Sequence, residues 1–414
     1  MSVGTAAKRR FLAPDLARGI ALVGIAMANM VTNWDPTDHA DHAAGLGGYN
    51  GDGTLLEKAL VFFETMFVHV RGLPMFATLL GVGMGMIFAS LRKRGYPTKA
   101  ARRVLARRYA FLMLFGIVHL TLFFTNDIMT AYGIAALLLC LAIGWGDTAL
   151  YILAAAVLVL ASVGRVGGIA SAFSDPGTAD AALGVAGATG AGSVARITDL
   201  GARMVNGLHN APFMLFIPCI EVPSFFPLVV IGFVWGRGGV FGDVGGNRRM
   251  LTAWAVLAWV VIVGFGVAWG CAEIGALPEV WSPGFSAANQ VIGMLTGPGI
   301  LATIALVCQK TQLLLDAGHP LPAPLRPLVA LGKRSMSGYL GQTVLFILTT
   351  QPATWWVTRD ATIAGKLGWA VLVWLATLAG AWALEKAGKP GPFEWAHRRL
   401  AYGKNGLPER YPGA

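Results

Sequence analysis

His119 and Asp127 lie eight residues apart at the end of an apolar stretch. A histidine can take a proton from an attacking hydroxyl or amine near neutral pH, and a carboxylate can orient it. Along one unbroken helix, eight residues leave the two side chains about 12 Å apart and about 80° rotated, so they pair only if the chain folds back between them. The plainer reading of His119 is a hydrogen bond between helices, and both readings stay open. Glu221 is a second candidate. It sits in Pro218-Cys219-Ile220-Glu221-Val222-Pro223, where prolines free backbone groups that are tolerated at membrane depth if the segment lines a cavity or packs on protein. Its plainer role is a hydrogen-bonded acid or a salt bridge to Arg18 or Arg71.

Arg71, between His69 and Gly72-Leu73-Pro74, marks a break in the chain. It could clamp an anion or a carbonyl with its donor fork, or simply reach the headgroups. Ser335, Tyr339 and Gln342 follow i, i+4, i+7 spacing and share a helix face, with Lys333 and Arg334 beside them. That suits a ligand whose phosphates stay in the cytoplasm, although ordinary interhelical bonding would leave the same pattern. In the first apolar segment Arg18, Asn29 and Asn33 fall near one face, with Asp15 within about 40° of it. A charge at the bilayer centre costs about 2.5 to 3.5 kcal/mol, so this stripe faces a cavity or other helices.

These residues sit in an unusually apolar chain: 55% of its 414 residues are hydrophobic and 13% charged, against about 25% charged in soluble domains. Mean hydropathy is +0.62. The expectation is an all-α polytopic transmembrane helix bundle forming a single integral membrane domain. Cys140, Cys219, Cys271 and Cys308 lack metal-ligand spacing and read as small hydrophobes. The net charge of +11 follows from basic cytoplasmic loops and does not point to nucleic acid.

The loops orient the chain. Lys8, Arg9 and Arg10 precede the first span, and Asp35, Asp38, Asp41, Asp52 and Glu57 follow it, which places the N-terminus inside. Ala26-Met27-Ala28 resembles a cleavage site, but the charged and amide residues around it fit a signal peptide poorly. The loop from Arg92 to Arg108 holds eight bases and must be cytoplasmic. Only one crossing then fits between 55 and 91, so Leu55 to His69 reads as an outer-surface or half-inserted helix and the span starts near Leu73. Further spans fall near 108 to 125, 128 to 145, 149 to 164, 211 to 236, 250 to 270, 286 to 308, 335 to 352 and 364 to 385. That gives about ten spans with both termini cytoplasmic, residues 1 to 14 and 387 to 414 being tails. Arg165 to Asn210 reads as an outer loop with a short amphipathic helix.

Several motifs carry a resemblance. Asp15-Leu16-Ala17-Arg18-Gly19-Ile20-Ala21-Leu22-Val23-Gly24-Ile25 with Asn29, then Arg107-Arg108 through Gly116, His119, Asp127-Ile128 and Tyr132, then Gly332 to Gln342, and finally Gly391-Pro392-Phe393-Glu394-Trp395 with Arg398 and Tyr402-Gly403 together resemble the signature of the YeiB family of bacterial polytopic membrane proteins, catalogued as a domain of unknown function. Gly338 and His397 depart from it, standing where an asparagine and an aromatic residue are expected. That family is distantly similar to the acyltransferase-three membrane enzymes and to heparan-alpha-glucosaminide N-acetyltransferase. The resemblance implies a multi-pass protein of the bacterial inner membrane that moves an acyl group from cytoplasmic acyl-coenzyme A to a hydroxyl or amine of an extracytoplasmic acceptor.

Such a reaction needs a base, a donor for the carbonyl oxygen and a positive mouth for phosphates. His119 would be the base, oriented by Asp127 or Glu221. Asp15, Arg18, Asn29, Arg71, Tyr339 and Gln342 are the candidate substrate contacts, with Arg18, Asn29 or Arg71 on the carbonyl. Lys333, Arg334, Arg107 and Arg108 would meet the phosphates. His69, His39 and His42 are rival bases. No tightly bound cofactor or metal is expected. The partners are the bilayer, acyl-coenzyme A and an acceptor, and a homo-oligomer is left open. The alternative is a small-molecule or proton-coupled transporter built on the same polar residues.

Overall fold

Glycines set the closest helix contacts. Helix α3 (Gly72–Lys93) carries Gly81 and Gly85, and helix α8 (Ala211–Gly238) carries Gly232 and Gly236. A β-carbon at Gly81 or Gly85 would overlap the Val229 or Phe233 carbonyl, and one at Gly232 or Gly236 would overlap that of Thr78 or Val82. The two small-xxx-small faces are therefore reciprocal, and the backbones meet with no side chain between them. The same device joins α4 (Thr98–Leu122) to α5 (Met129–Ala142), through Gly116 against Thr130 and Gly133 against Met113.

The structure is a computed structural model that describes residues 11–34, 46, 49, 51, 53–174 and 199–412. These residues form helices and turns, without a strand. Eight helical stretches are long and apolar enough to cross a membrane, among them Leu12–Thr32, Leu55–Lys93, Asp147–Ser174 and Ile363–Lys386. Two of the ten expected spans fall on shorter helices, α5 and Ser335–Thr350. The fold is thus an all-α, multi-pass bundle. Lys8 to Arg10, the acidic residues Asp35 to Asp41 and Asp52, and His39 and His42 lie outside the described residues.

The remaining elements are α1 (Leu12–Thr32), α2 (Leu55–Phe63), α6 (Asp147–Ser174), α7 (Leu200–His209), α9 (Arg248–Val260), α10 (Gly266–Glu273), α11 (Ser282–Ile292), α12 (Thr296–Asp316), α13 (Leu325–Lys333), α14 (Ser335–Thr350), α15 (Ile363–Lys386) and α16 (Pro392–Tyr402). Helix α1 is central, packed on α3, α12, α13, α14 and α15. Gly19 and Gly332 bring it against α13, because a β-carbon at either would strike the Leu328 or Asp15 carbonyl.

The fifth span is longer than its apolar run. Expected at 149 to 164, it continues as helix to Ser174, so Arg165 lies within it rather than opening a loop. Gly164, Gly167 and Gly168 do not end the helix, since glycine weakens a helix interior by only about 1 kcal/mol. The expected short amphipathic helix is α7, whereas 175 to 198 lie outside the described residues. Helix α8 likewise runs unbroken through Pro218, Pro223 and Pro227.

The break at Arg71 is real. Helix α2 passes through a π-turn, Glu64–Val68, and Val70 adopts φ 55°, a left-handed conformation that a β-branched residue holds only where its surroundings impose it. Arg71 supplies that constraint. Its guanidinium donates to the carbonyls of Thr65 (3.3 Å), Met66 (2.8 Å) and Val70 (3.1 Å) and to Asn289 Oδ1 (2.9 Å). Asn289 returns a bond to the His69 carbonyl at 3.2 Å, just before the second break, Gly293–Leu295 between α11 and α12.

Candidate active site

Helix α4 ends at Leu122, and the turn through Asn126 reverses the chain into α5. Because Gly116 and Gly133 let the two helices touch, the reversal carries Asp127 back over the last turn of α4. His119 Nδ1 and Asp127 Oδ1 are then 2.7 Å apart, so the fold supplies the reversal that an eight-residue spacing requires. The other carboxylate oxygen accepts from Thr130 N (3.0 Å) and Thr130 Oγ1 (3.2 Å), fixing Asp127 at the start of α5 as a cap. His119 Nε2 meets Thr343 Oγ1 of α14 at 3.0 Å. Both residues of the pair are nearly inaccessible.

Beside this dyad stands Tyr339, one turn before Thr343, its ring edge-on to the imidazole with centroids 5.4 Å apart. Tyr339 also lines a cavity of about 290 Å³, together with Arg18, Ile25, Leu79, Ile128, Tyr132 and Lys333, among others. A wider cavity of about 840 Å³, bounded by Arg94, Arg398, Tyr402 and Glu409, shares Asp15, Arg18, Gly83 and Ile87 with it. Together they lead from the arginine-rich end of the bundle, past Arg18, to Tyr339. His119 itself does not line the space.

The sequence candidates separate accordingly. Asp15, Arg18, Tyr339, Lys333 and Arg108 line the inner cavity. Arg18 donates to Asp15 Oδ1 and to the Leu79 carbonyl, both at 3.3 Å. Lys333 binds Glu385 at 2.6 Å, and Arg108 donates to the Tyr402 hydroxyl at 3.1 Å. Arg334 is turned into the protein, held by Glu385 at 2.6 Å and by the Lys389 carbonyl. Arg107 is exposed, its guanidinium 6.0 Å from the Phe111 ring, and faces away from the cavity.

Gln342 is buried and donates to the Leu22 carbonyl at 3.2 Å. Asn29 accepts from Asn33 at 3.1 Å, and Asn33 in turn accepts from Asn126, so the polar end of the α1 stripe ties α1 to the turn that carries Asp127. Arg71 is buried and does not line the cavity, its donors being engaged in the chain break described above. Glu221, half-buried on α8, has no hydrogen bond to His119, whose two nitrogens are taken by Asp127 and Thr343. His69, the rival base within the described residues, sits 3.1 Å from Glu64 at the Arg71 break.

Two contacts went unread in the sequence. Thr343 extends the Ser335, Tyr339 series by another four residues, so its spacing was the signal. Glu394 caps α14 from a separate helix: its Oε1 accepts from Met336 N (2.8 Å) and Ser337 N (3.0 Å), and its Oε2 from the Ser337 hydroxyl. Next to it His397, outside the membrane-crossing helices, donates from Nε2 to the Arg108 carbonyl at 2.8 Å. Burial, then the neighbouring Arg108 charge, pushes it down to about 4.

Residues 235–404 match a family described as "Protein of unknown function (DUF418)". No curated protein and no solved structure matches the chain. The matched stretch contains Lys333, Tyr339, Gln342, Thr343, Glu394 and His397, while His119 and Asp127 precede it. Among the described residues no group of three or more histidine, cysteine or acidic side chains is placed to hold a metal ion.

Proposed function

We propose that the protein is a membrane acyltransferase that takes an acyl group from acyl-coenzyme A and gives it to a hydroxyl or amine presented from the other side of the bilayer. The observation that carries this reading is the Asp127–His119 pair behind Tyr339, which lines a cavity shared with Arg18, Arg108 and Lys333 and adjoining the one beside Arg94 and Arg398. A thioester is already activated, so the chain has to supply a base, a donor and a positive entrance. The coenzyme's phosphates would meet Arg398, Arg108 and Lys333, and its narrow arm would follow the apolar wall of Leu79, Ile87 and Leu112. Arg18, which lines both cavities, is a cation on the thioester's route. Asp127 favours the His119 tautomer whose Nε2 carries no hydrogen and faces the Thr343 hydroxyl, the arrangement general-base catalysis requires.

A transporter is the second reading. It draws on the two interrupted helices joined by Arg71 and Asn289, since transporters place solute sites at such breaks. The two readings diverge on one measurement. Purified protein is expected to bind acetyl-coenzyme A and release free coenzyme A, and His119→Ala to lose about 10²- to 10⁴-fold in rate with binding retained. Absence of binding and turnover, in protein shown to be folded, leaves the transporter as the better account.

A further inference from the structure

Six helical threonines in this chain share a habit. Thr32, Thr78, Thr121, Thr303, Thr349 and Thr350 each donate their hydroxyl to the carbonyl four residues earlier, at 2.7 to 2.9 Å. Thr343, in the middle of α14 and almost fully buried, has its hydroxyl on His119 Nε2 instead. The direction of that bond follows from the other side of the ring. Asp127 receives Thr130 N–H and O–H on one oxygen and faces Nδ1 with the other, so Nδ1 carries the hydrogen, and in the neutral ring Nε2 accepts while Thr343 donates. The hydroxyl that His119 is set to deprotonate therefore belongs to the protein. Acid, imidazole and hydroxyl stand in the order that activates a nucleophile.

We propose that Thr343 is a nucleophile that carries the acyl group as an ester between donor and acceptor. The proposal rests on the acyltransferase reading. In the first step Thr343 Oγ1 attacks the thioester carbonyl carbon as its proton passes to His119 Nε2. The carbon–sulfur bond breaks, and the departing sulfur takes that proton from the imidazolium. In the second step the acceptor hydroxyl or amine gives its proton to Nε2 and attacks the threonyl ester. The Thr343 oxygen leaves and recovers the proton, so the enzyme returns unchanged.

Access agrees with a two-step path. Tyr339, on the same face of α14 and about 6 Å back along its axis, lines the cavity and sets its ring against His119, so it is the ring that must turn aside for the thioester. Phe124 also lies against His119, with centroids 5.9 Å apart, and is stacked on Trp34 at 4.8 Å between centroids, with Phe346 stacked on Trp34 at 5.7 Å. An acyl group parked on Thr343 lets donor and acceptor come from opposite ends at different times, with neither waiting for the other.

The test uses the full-length protein in detergent, acetyl-coenzyme A as donor and water as acceptor. After acid quenching, peptide mass mapping is expected to find one acetyl group on Thr343 in the parent protein and in Thr343→Ser, and none in Thr343→Val or His119→Asn. Thr343→Val keeps the shape of the side chain, and an unchanged Tm confirms its fold. Its turnover is expected to fall to the level of His119→Ala, with the double variant no slower, as for residues that act as one unit. Turnover by Thr343→Val at the parent rate, or a parent protein that turns over with no acetyl on Thr343, overturns the proposal and leaves direct transfer by His119 standing. If the parent protein neither binds nor cleaves acetyl-coenzyme A, the underlying reading falls and this one with it.

Discussion

His397 shows how much one ring can report. It donates Nε2–H to the Arg108 carbonyl, and its pKa, normally near 6.5, is held at about 4 by burial and then by the Arg108 charge. Depression of the folded value means that the unfolded chain binds the proton first. Stability from this group is complete above about 6.5 and is lost as pH falls from there through about 4, a total on the order of 3 kcal/mol. His397→Gln retains an amide that can donate to the same carbonyl and removes the titration. The drop in Tm between pH 7 and pH 5 is therefore expected to be smaller in that variant than in the parent protein, and an equal drop would assign the acid sensitivity elsewhere. At this scale the sequence exposed the chemistry and hid the partners. Residue type and spacing marked His119, Asp127 and Tyr339, because an imidazole or a carboxylate in an apolar stretch needs a reason. They could not separate Asp127 from Glu221 as the orienting group, since the turn that decides it depends on Gly116 and Gly133 meeting across the hairpin. Arg107 and Arg108 look alike in sequence, yet about 100° of helix rotation sends one outward and the other to the cavity wall.

Helices place these residues by contact between backbones, which a string of glycines only suggests. The α3–α8 pair is the clearest instance, its four glycines interlocked carbonyl to Cα. Gly85→Ala would push a methyl group into the Phe233 carbonyl with no flexible side chain to yield. Overpacking of this kind costs about 1 to 3 kcal/mol, so a lower Tm in detergent is expected, whereas Gly164→Ala, whose added carbon would meet nothing within 4 Å among the described residues, should match or exceed the parent. A reversed order would mean the two helices do not pack as described. Apolar periodicity marked most spans because bilayer thickness fixes their length. It missed the extension of α6 to Ser174, where small residues carry little hydropathy signal. The break before α3 was legible because Gly72 and Pro74 flank it. Its lock was not, since Asn289 lies over two hundred residues away.

Charge distribution gives the bundle a direction, and the direction decides which reaction is feasible. Arg94, Arg237, Lys333, Arg334 and Arg398 gather at one end of the helices, the end where the wider cavity opens. The sequence rule that puts such bases in the cytoplasm and the acyltransferase reading make the same demand, because acyl-coenzyme A is a cytoplasmic compound. Arg398→Cys is exposed at the cavity rim, and Thr54→Cys lies at the opposite end, at the start of α2. In inside-out vesicles a membrane-impermeant maleimide is expected to label Cys introduced at 398 and spare the one at 54, with the pattern reversed in right-side-out vesicles and read above the background of Cys219 and Cys271. Acetyl-coenzyme A added to inside-out vesicles should slow labelling at 398, as occupancy of the cavity would cover it. Labelling of 398 from the outside would turn the bundle over. The Tyr339 cavity would then open away from any acyl-coenzyme A, and the polar interior would have to serve an extracytoplasmic solute, which is the transporter's task.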